Sequence, residues 1–550
     1  MREEVIDGCL FSSMIFAGAD NLDANRKLVN DLNVFPIPDG DTGDNMFMTI
    51  DSGADELSGE ENGEVGTAAA AAARGMLLGA RGNSGVILSR IFAGIADGLK
   101  GLKKADVETL SKAFLLGVDE AYGAVSKPVE GTILTVYKDA AGYADSRITD
   151  DSTILSYFDD FVKELRCSLE RTPELLDVLK EAGVVDSGGA GFFYIAEGMR
   201  DVLSNGTSKA ERSSSKTAAG KVDISRFTED SELKFGYCTE VLIRLQRSKV
   251  DPETFDIKPL EAWLKENGDS VVIFKDGSIV KIHVHTMTPG QVLNYCQQFG
   301  EYLTIKIENM TLQHNEHYAK EEETWSKKPH KAFGLVSVAA GKGIKELFSS
   351  LGCDEVVDGG QSMNPSTEDF VNAFRKINAD TIFVFPNNGN VILTANQAAQ
   401  IYDKAEVLVV PSKTVGEGYA AISMFDENSG DAGFIANEMK EIVEGVITGM
   451  VSRASRDARR DGLDIRSGDY IGFAGDTVYV DKADRSEAAV SLCERLGAGN
   501  CDILLILRGE AVSEEEAERL KSELSEKYKK TEVIVMDGGQ PVHDYIIVFE

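Results

Sequence analysis

The chain carries few positive charges for its length. Its 550 residues include 57 lysines and arginines against 91 aspartates and glutamates, which gives a formal net charge of −34. A field of that sign repels phosphate backbones and anionic membrane surfaces. No local cluster of basic residues reverses it, so nucleic acid is a poor candidate partner.

Long apolar runs and paired cysteines are also lacking. No stretch reaches the roughly 18 apolar residues of a membrane-spanning helix, so membrane insertion is not expected. The apolar run CLFSSMIFAGA, residues 9–19, follows acidic residues rather than the basic start of a signal peptide. The 7 cysteines include no C-x-x-C pair, which favours reduced thiols and a cytoplasmic location.

The most unusual segment that is present is NVFPIPDGDTGDNM, residues 33–46. Its prolines lack amide donors and its glycines permit sharp turns, so a tight surface loop is predicted. On such a loop Asp39 and Asp41 can direct their carboxylates at one hard cation or bridge two, as Mg²⁺ on a nucleotide requires. The loop is not an EF-hand, because Asp44 stands where that motif needs its glycine. An acidic turn that caps a helix near Asn45 is the alternative interpretation.

Apolar helices surround this loop, and several of them begin at glycine-rich turns. An alanine-rich helix ends in GARGNSG, residues 79–85, and VEGTILTV, residues 129–136, and GVVDSGGAG, residues 183–191, also open helices. Free amide groups and the helix dipole make such turns suitable for phosphate, although helix capping explains each turn better when it is taken alone. Neither a Walker A loop nor a dinucleotide fingerprint is present. Together with the acidic loop, the turns predict an all-helical nucleotide site.

The composition changes twice further along the chain. Residues 204–221 are small and polar and residues 318–331 are charged, so both are predicted to be linkers. Between them, residues 222–317 show β-branched alternation, an Asp-Gly hairpin signal and helical segments, which predicts a small α+β domain. Residues 332–550 alternate apolar strands with helices, which predicts an α/β domain with parallel β-α-β units.

The middle domain carries a candidate zinc site. His283 and His285 lie two residues apart on a predicted strand, so both would project from one face. Cys238, on another predicted strand, would complete a set suited to Zn²⁺ with an open fourth position. A polar strand face without metal is an equally good interpretation.

Two kinds of loop stand out in the C-terminal domain. The tetrapeptide DGGQ occurs at residues 358–361 and 537–540, each time after a short apolar strand. Duplicated half-domains and two independent turns explain this equally well. FPNNGN, residues 385–390, is predicted to be a loop at the carboxyl end of a strand, where open α/β sheets bind ligands.

The loop PDGDTGDNM, the turn RGNSG, the helix start EGT and the turn VVDSGGAG, in this order, resemble the nucleotide-binding L-subunit domain of dihydroxyacetone kinases. Their continuation into the two later domains resembles the fatty acid kinase A subunit of Gram-positive bacteria, over essentially the whole chain. The resemblance implies an antiparallel helical barrel in residues 1–203 that holds ATP through two Mg²⁺ ions, and a homodimer is expected. For the C-terminal region it implies a fold like the DegV lipid carriers, which would dock a separate fatty-acid-binding protein.

The resemblance also assigns roles to individual residues. Asp39 and Asp41 would ligate the metals and carry catalysis, with Asn33 or Asp31 as a third oxygen source. The residues that would line the nucleotide belong to the loop and to the glycine-rich turns: Thr42, Asn45, Gly82, Asn83, Ser84, Gly85, Thr132, Asp186 and Gly188. Position 44 departs from the family, which often has threonine where this chain has Asp44.

These features predict a kinase. Phosphoryl transfer depends on positioning and charge neutralisation rather than on a nucleophile of the enzyme. The resemblance suggests that the acceptor is the carboxylate of a fatty acid held by a separate carrier, which would give an acyl phosphate for phospholipid synthesis. A kinase of dihydroxyacetone or another polyol, and a nucleotide-sensing scaffold without catalysis, are the alternatives.

Overall fold

The part of the chain before residue 206 is built almost entirely from helices. The computed structural model describes residues 5–33, 40–57, 63–125, 127–205, 237–252, 254–276, 278–309, 330–360, 364–455 and 457–550. Its N-terminal helices are α1 (Gly8–Asp31), α2 (Thr42–Leu57), α3 (Val65–Gly79), α4 (Gly82–Leu99), α5 (Val107–Gly123), α6 (Ile133–Ser146), α7 (Ile154–Leu175), α8 (Asp177–Ala182) and α9 (Ser187–Asn205). A short antiparallel pair, β1 (Val5–Asp7) and β2 (Lys104–Asp106), accompanies them.

Successive helices pack side by side, and the last one returns to the first. Each helix from α1 to α7 packs against the next, and α9 packs against both α7 and α1. Their apolar faces bury one continuous core. The centre of that core holds aromatic rings in edge-to-face contact, among them Phe114, Tyr137, Phe161 and Phe192. The apolar helices predicted on either side of the acidic loop are confirmed as α1 and α2, and α2 begins within the loop segment, at Thr42.

The alanine-rich helix α3 lies unusually close to α2. A methyl group on Gly75 would stand 2.3 Å from the carbonyl oxygen of Ser52 and 2.9 Å from Gly53 Cα. These distances are shorter than any van der Waals contact, so only a glycine fits at this crossing. The close approach holds α2 against the turn between α3 and α4, where part of the candidate site lies.

The described residues between 237 and 309 form a four-stranded antiparallel sheet with two helices. Its elements are β3 (Tyr237–Leu245), α10 (Lys258–Asn267), β4 (Asp269–Asp276), β5 (Ile279–Thr286), α11 (Pro289–Cys296) and β6 (Gly300–Asn309). The strand order is β4-β5-β3-β6. The β4 and β5 strands pair as the hairpin that the Asp-Gly signal predicts, and both helices pack on a core that includes Leu260, Ile282 and Val292.

The described residues from 330 onward form two main sheets, of four and six strands, a separate antiparallel pair of short strands, and helices. The strands are β7 (Lys331–Ala339), β8 (Glu355–Asp358), β9 (Ala379–Phe385), β10 (Glu406–Val409), β11 (Ile447–Arg453), β12 (Ala458–Arg460), β13 (Leu463–Ile465), β14 (Tyr470–Ala474), β15 (Thr477–Lys482), β16 (Ile503–Arg508), β17 (Glu532–Asp537) and β18 (Tyr545–Phe549). The helices are α12 (Lys342–Ser350), α13 (Thr367–Phe374), α14 (Ile392–Ile401), α15 (Val415–Ser423), α16 (Ala432–Gly445), α17 (Arg485–Arg495) and α18 (Glu514–Lys527).

The two sheets differ in strand direction. The first has the order β10-β9-β7-β8 and is parallel throughout. The second has the order β15-β14-β11-β18-β16-β17 and is antiparallel except between β16 and β17. The parallel units predicted from the alternation of strands and helices are therefore confirmed for β7, β9, β10, β16 and β17.

The strands from β11 to β15 and the final strand β18 have no counterpart in the sequence-based prediction. The β18 strand lies between β11 and β16, and all five of its residues are buried. Such a strand is apolar on both faces, so it shows none of the alternation that marks a half-buried strand.

The chain divides into two compact units, of which one contains residues 1–215 and 330–550 and the other residues 216–329. The predicted linkers, residues 204–221 and 318–331, lie outside the described residues except at their ends, where α9 reaches Asn205 and β7 begins at Lys331. Among the described helices, none is both long enough and apolar enough to cross a membrane.

Candidate functional site

Three helices of the N-terminal region begin next to one another. The first residues of α2 and α9 are in contact, because Ser187 Oγ donates a hydrogen bond to Thr42 Oγ1 at 3.3 Å. The first turn of α9 also lies against α6, where a methyl group on Gly188 would stand 3.2 Å from Ile133 Cβ. The amide groups and positive dipole ends of α2, α6 and α9 therefore lie at the same end of the helical region.

A fourth helix, α4, starts at the same place. Gly82 has a φ of 58°, in the left-handed region that glycine adopts without strain. A Cβ atom at Gly82 would stand 2.6 Å from Asn45 Nδ2, and one at Gly85 would stand 2.4 Å from Thr49 Oγ1. Both glycines thus allow the first turn of α4 to lie directly on α2.

The structure therefore brings together the residues predicted to line a nucleotide. Each of them precedes or belongs to the first turns of α2, α4, α6 or α9. They are Thr42, Asn45, Gly82, Asn83, Ser84, Gly85, Thr132, Asp186 and Gly188. Their role toward a nucleotide stays a prediction.

Asp41 immediately precedes α2, and its side chain is buried. The residue is only 8% exposed, so the prediction that it lies on an exposed surface loop is wrong. A residue of the C-terminal region contributes to this burial: Asn364 Nδ2 donates a hydrogen bond of 2.6 Å to Asp41 Oδ2. Asp39 lies outside the described residues. Among the described residues, no group of three or more His, Cys, Asp or Glu side chains is placed to hold a metal ion, so the shared metal site stays a prediction.

The unusual carboxylate at position 44 belongs to a different cluster. Asp44 Oδ2 accepts a hydrogen bond from Asn30 Nδ2 at 2.9 Å, and Oδ1 lies 3.4 Å from Arg26 Nε. Asn30 Oδ1 in turn accepts the amide of Gly43 at 2.7 Å and thereby caps α2. The carboxylate that departs from the family pattern therefore pairs with α1. Asp31 ends α1 and is exposed, and its suggested role as an oxygen ligand, like that of Asn33, stays a prediction.

Asp186 caps α9, because its Oδ2 accepts the amide of Gly189 at 2.7 Å. Its own amide donates to Thr172 Oγ1 at 3.1 Å. Burial raises the pKa of this carboxyl to about 6, although the nearby amides of Gly189 and Ile133 act in the opposite direction. Thr132 is the N-cap residue of α6.

The C-terminal region contributes further residues that the sequence-based prediction missed. Asn83 Nδ2 donates to Asn390 Oδ1 at 3.2 Å, so the FPNNGN loop meets the RGNSG turn. Gln397 Nε2 donates to the carbonyl oxygen of Leu77 at 2.9 Å. No local pattern identifies such partners, because about 300 residues separate them along the chain.

The two DGGQ loops also come together, at one cavity of about 60 Å³ in the C-terminal region. Gly359 and Gly360 of the first loop and Gln540 of the second line it, beside Asn387. Gln540 Nε2 donates to the carbonyl oxygen of Leu507 at 2.9 Å, while its Oε1 has no hydrogen-bond partner among the described residues. Gln361 lies outside the described residues, and an origin of the two loops by duplication stays a hypothesis.

In the middle domain, the strand register makes the predicted zinc positions neighbours. Cys238 of β3 pairs directly with His285 of β5, and His283 pairs with Glu240. The side chains of these residues lie outside what the structure describes, so zinc binding stays a prediction.

Comparison with known proteins identifies the family. Residues 36–201 match the family model described as DAK2 domain. Residues 234–317 and 334–550 match the models for the middle domain and the C-terminal domain of proteins like the fatty acid kinase A subunit. The chain belongs to the fatty acid kinase A-subunit-like family. The family predicted from the ordered motifs is thereby confirmed.

Full-length relatives support the same assignment to the fatty acid kinase A-subunit-like family. Protein YloV of Bacillus subtilis (strain 168) is 42% identical over 563 residues and covers 100% of both chains. An uncharacterized protein of Staphylococcus aureus (strain USA300) is 37% identical over 558 residues and covers 99% of each. Among solved structures, a fatty-acid-binding DegV family protein from Thermus thermophilus has a TM-score of 0.31 at 14% identity and covers 40% of this chain and 100% of that chain.

The site of this fatty acid kinase A-subunit-like chain suits a phosphate-bearing ligand with a hard cation. Helix amino ends bind phosphate through free amides, and a carboxylate with amide oxygens is the donor type that Mg²⁺ prefers. The buried Oδ1 atoms of Asn83 and Asn364 have no hydrogen-bond partner among the described residues, so each can accept a hydrogen bond from a ligand or its water.

Proposed function

We propose that this chain is an ATP-dependent kinase component that phosphorylates the carboxylate of a fatty acid presented by a separate fatty-acid-binding protein. The product would be an acyl phosphate. The observation that carries the proposal is the convergence of four helix amino ends beside Asp41, in a member of the fatty acid kinase A-subunit-like family. A DAK2 domain over the same helices supports a kinase-type reaction.

ATP would supply the phosphoryl group, and Mg²⁺, in two ions as the resemblance implies, would neutralise its charge. Asp41, together with Asp39, would hold the metal. The amides of Gly82, Asn83 and Ser84 in the first turn of α4 would bind the phosphates, since α4 has no side-chain cap and the first amides of a helix have no intrahelical partner. Asn45 and Asn83 flank this position and would orient the nucleotide. The side chains and amides of the protein would therefore bind and orient the reactants, which is what phosphoryl transfer requires of an enzyme.

A carrier-bound acceptor agrees with how the helical region is packed. Its described centre is filled by large side chains, with Phe114 and Phe161 in contact at a ring separation of 5.2 Å. An acyl chain would have to displace that packing in order to enter between the helices. The acceptor carboxylate is therefore expected to arrive from outside, held by another protein.

The decisive experiment measures ADP and acyl phosphate formed from ATP, Mg²⁺ and a fatty acid, with and without a fatty-acid-binding protein of the DegV type. Product that forms only with the carrier supports the proposal. Turnover on dihydroxyacetone or another polyol alone would refute the proposal and indicate a polyol kinase. Nucleotide binding without any product would replace it by a nucleotide-sensing scaffold.

The substitution Asp41→Asn tests the metal assignment within this experiment. It keeps the size of the side chain and removes the charge that Mg²⁺ needs. We expect Mg·ATP affinity and transfer to fall by about 100-fold or more, since loss of an outer partner of a metal ligand already costs about 10- to 100-fold. Asp44→Asn is the matched control and should retain activity, because Asp44 pairs with Arg26 and Asn30. A folded Asp41→Asn protein with normal Mg·ATP binding would refute the assignment.

A further inference from the structure

The C-terminal region reaches the acidic end of α2 through one buried side chain. Asn364 is 1% exposed, and its Nδ2 donates the 2.6 Å hydrogen bond to Asp41 Oδ2. The same nitrogen lies 3.1 Å from the position that a Cβ of Gly82 would occupy. Asn364 therefore lies between the carboxylate proposed to hold the metal and the turn proposed to hold phosphate.

The backbone around Asn364 is held by the turn between α3 and α4. Arg81 Nη1 donates to the carbonyl oxygen of Asn364 at 2.8 Å, and Arg81 also lies 3.5 Å from Asp369. The amide of Thr367 donates to the carbonyl oxygen of Ala80 at 3.2 Å. The Asn364 side chain therefore has little freedom to move away from Asp41.

We propose that Asn364 is a positioning residue, which orients the Asp41 carboxylate for the metal from a segment more than 300 residues away along the chain. This inference rests on the proposed function. A hydrogen bond to an ionised acceptor is about twice as strong as one between neutral groups, so the bond from Asn364 restricts the orientation of the Asp41 carboxylate. The buried Oδ1 of Asn364 has no partner among the described residues and would be able to accept a hydrogen bond from a water ligand of the cation.

The consequence is that the metal affinity of the helical region depends on a residue of the C-terminal region. Partners that orient a metal ligand typically change metal affinity by about 10- to 100-fold when they are removed. We expect Asn364→Leu, which keeps the volume and removes the donor, to raise by that factor the Mg²⁺ concentration at half-saturation, measured at saturating ATP. Asn364→Ala should show the same direction.

The control is another buried amide that joins the same two regions but does not touch Asp41. Gln397 is 2% exposed and donates to the carbonyl oxygen of Leu77. Gln397→Met removes that bond, and the bonds of Gln397 with Thr367, Ser89 and Arg90, at similar volume. It should leave the Mg²⁺ dependence unchanged, because none of these bonds involves Asp41. Thermal unfolding of the full-length variants checks that each is folded.

The experiment is calorimetric titration of each full-length variant with ATP over a series of Mg²⁺ concentrations, followed by kinetics with carrier-bound fatty acid. A rise in the Mg²⁺ requirement for Asn364→Leu and Asn364→Ala, but not for Gln397→Met, supports the inference. An unchanged requirement in a folded Asn364→Leu protein, or an equal rise in Gln397→Met, would overturn it while leaving the proposed function intact. If the unsubstituted chain binds no Mg·ATP, the proposed function itself fails, and this inference fails with it.

Discussion

Single residues at the candidate site differ in how far along the chain their partners lie. Asp186 finds the amide of Gly189 three residues away, which is a local cap that a sequence pattern can indicate. Asp44 on α2 accepts a hydrogen bond from Asn30 on α1, and Asp41 accepts one from Asn364, 323 residues further along the chain. The first partner could be predicted from spacing, whereas the other two depend on which elements meet.

The raised pKa of Asp186 predicts a pH-dependent stability. Its folded-state pKa of about 6 exceeds the ordinary value of 3.8, so between those pH values the folded state binds more protons than the unfolded state. The contribution of this group to the free energy of unfolding therefore falls as pH rises through that window. We expect the stability of Asp186→Asn relative to the unsubstituted chain to increase by about 1–1.5 kcal/mol from pH 5 to pH 7.5, measured by chemical denaturation.

The control for this experiment is Asp106→Asn. Asp106 caps α5, and a hydrogen bond with Thr109 lowers its pKa, so it is ionised in both states throughout that range. Its relative stability should not change between the two pH values. A flat profile for Asp186→Asn would mean that Asp186 is ionised in the folded protein at pH 5.

At the scale of elements, most helices agree with the apolar spacing of the sequence. The alanine run predicts α3 as a helix with little bulk that packs closely, and Gly75 shows how close the approach is. The middle of the second sheet could not be predicted in the same way. Neither the partner of β18 nor its direction can be read from a run that is apolar on both faces.

The close approach of α3 to α2 makes Gly75 a sensitive position. Gly75→Ala would force the helices apart, because the new methyl group meets the Ser52 carbonyl oxygen at 2.3 Å. We expect a loss of about 1–3 kcal/mol in the free energy of unfolding, despite the better helix propensity of alanine. Gly142→Ala on α6, which meets nothing within 4 Å, should instead gain about 0.5–1 kcal/mol. Equal effects of the two substitutions in denaturant titrations would contradict this account.

At the scale of the whole molecule, the first and last segments of the chain form one compact unit and residues 216–329 another. The shared unit is held by buried polar contacts such as Asn364 with Asp41 and Gln397 with the Leu77 carbonyl oxygen. The three segments that composition distinguishes therefore do not correspond to three separate bodies. Only the contacts between distant segments reveal this grouping.

This grouping predicts which substitutions weaken the same unfolding transition. Ile506→Ala in the second sheet and Gly75→Ala in α3 should both lower one calorimetric transition, whereas Ile282→Ala in the middle domain should lower another. Ile506 and Ile282 are both fully buried, and each truncation is expected to cost about 2–5 kcal/mol. If Gly75→Ala and Ile506→Ala lower different transitions, the N-terminal and C-terminal regions unfold separately. The prediction that they unfold as one cooperative unit would then be wrong.

The amino-acid sequence by itself determined the helices, the acidic segment before α2 and the glycine-rich starts of α4 and α9, because capping, glycine φ angles and apolar periodicity act over a few residues. Only the tertiary structure decided that the starts of α2, α4, α6 and α9 meet, that Asp41 is buried, and that Asn364 donates a hydrogen bond to it. Those outcomes depend on contacts between segments up to 323 residues apart, and no local pattern specifies which distant surfaces will pack together.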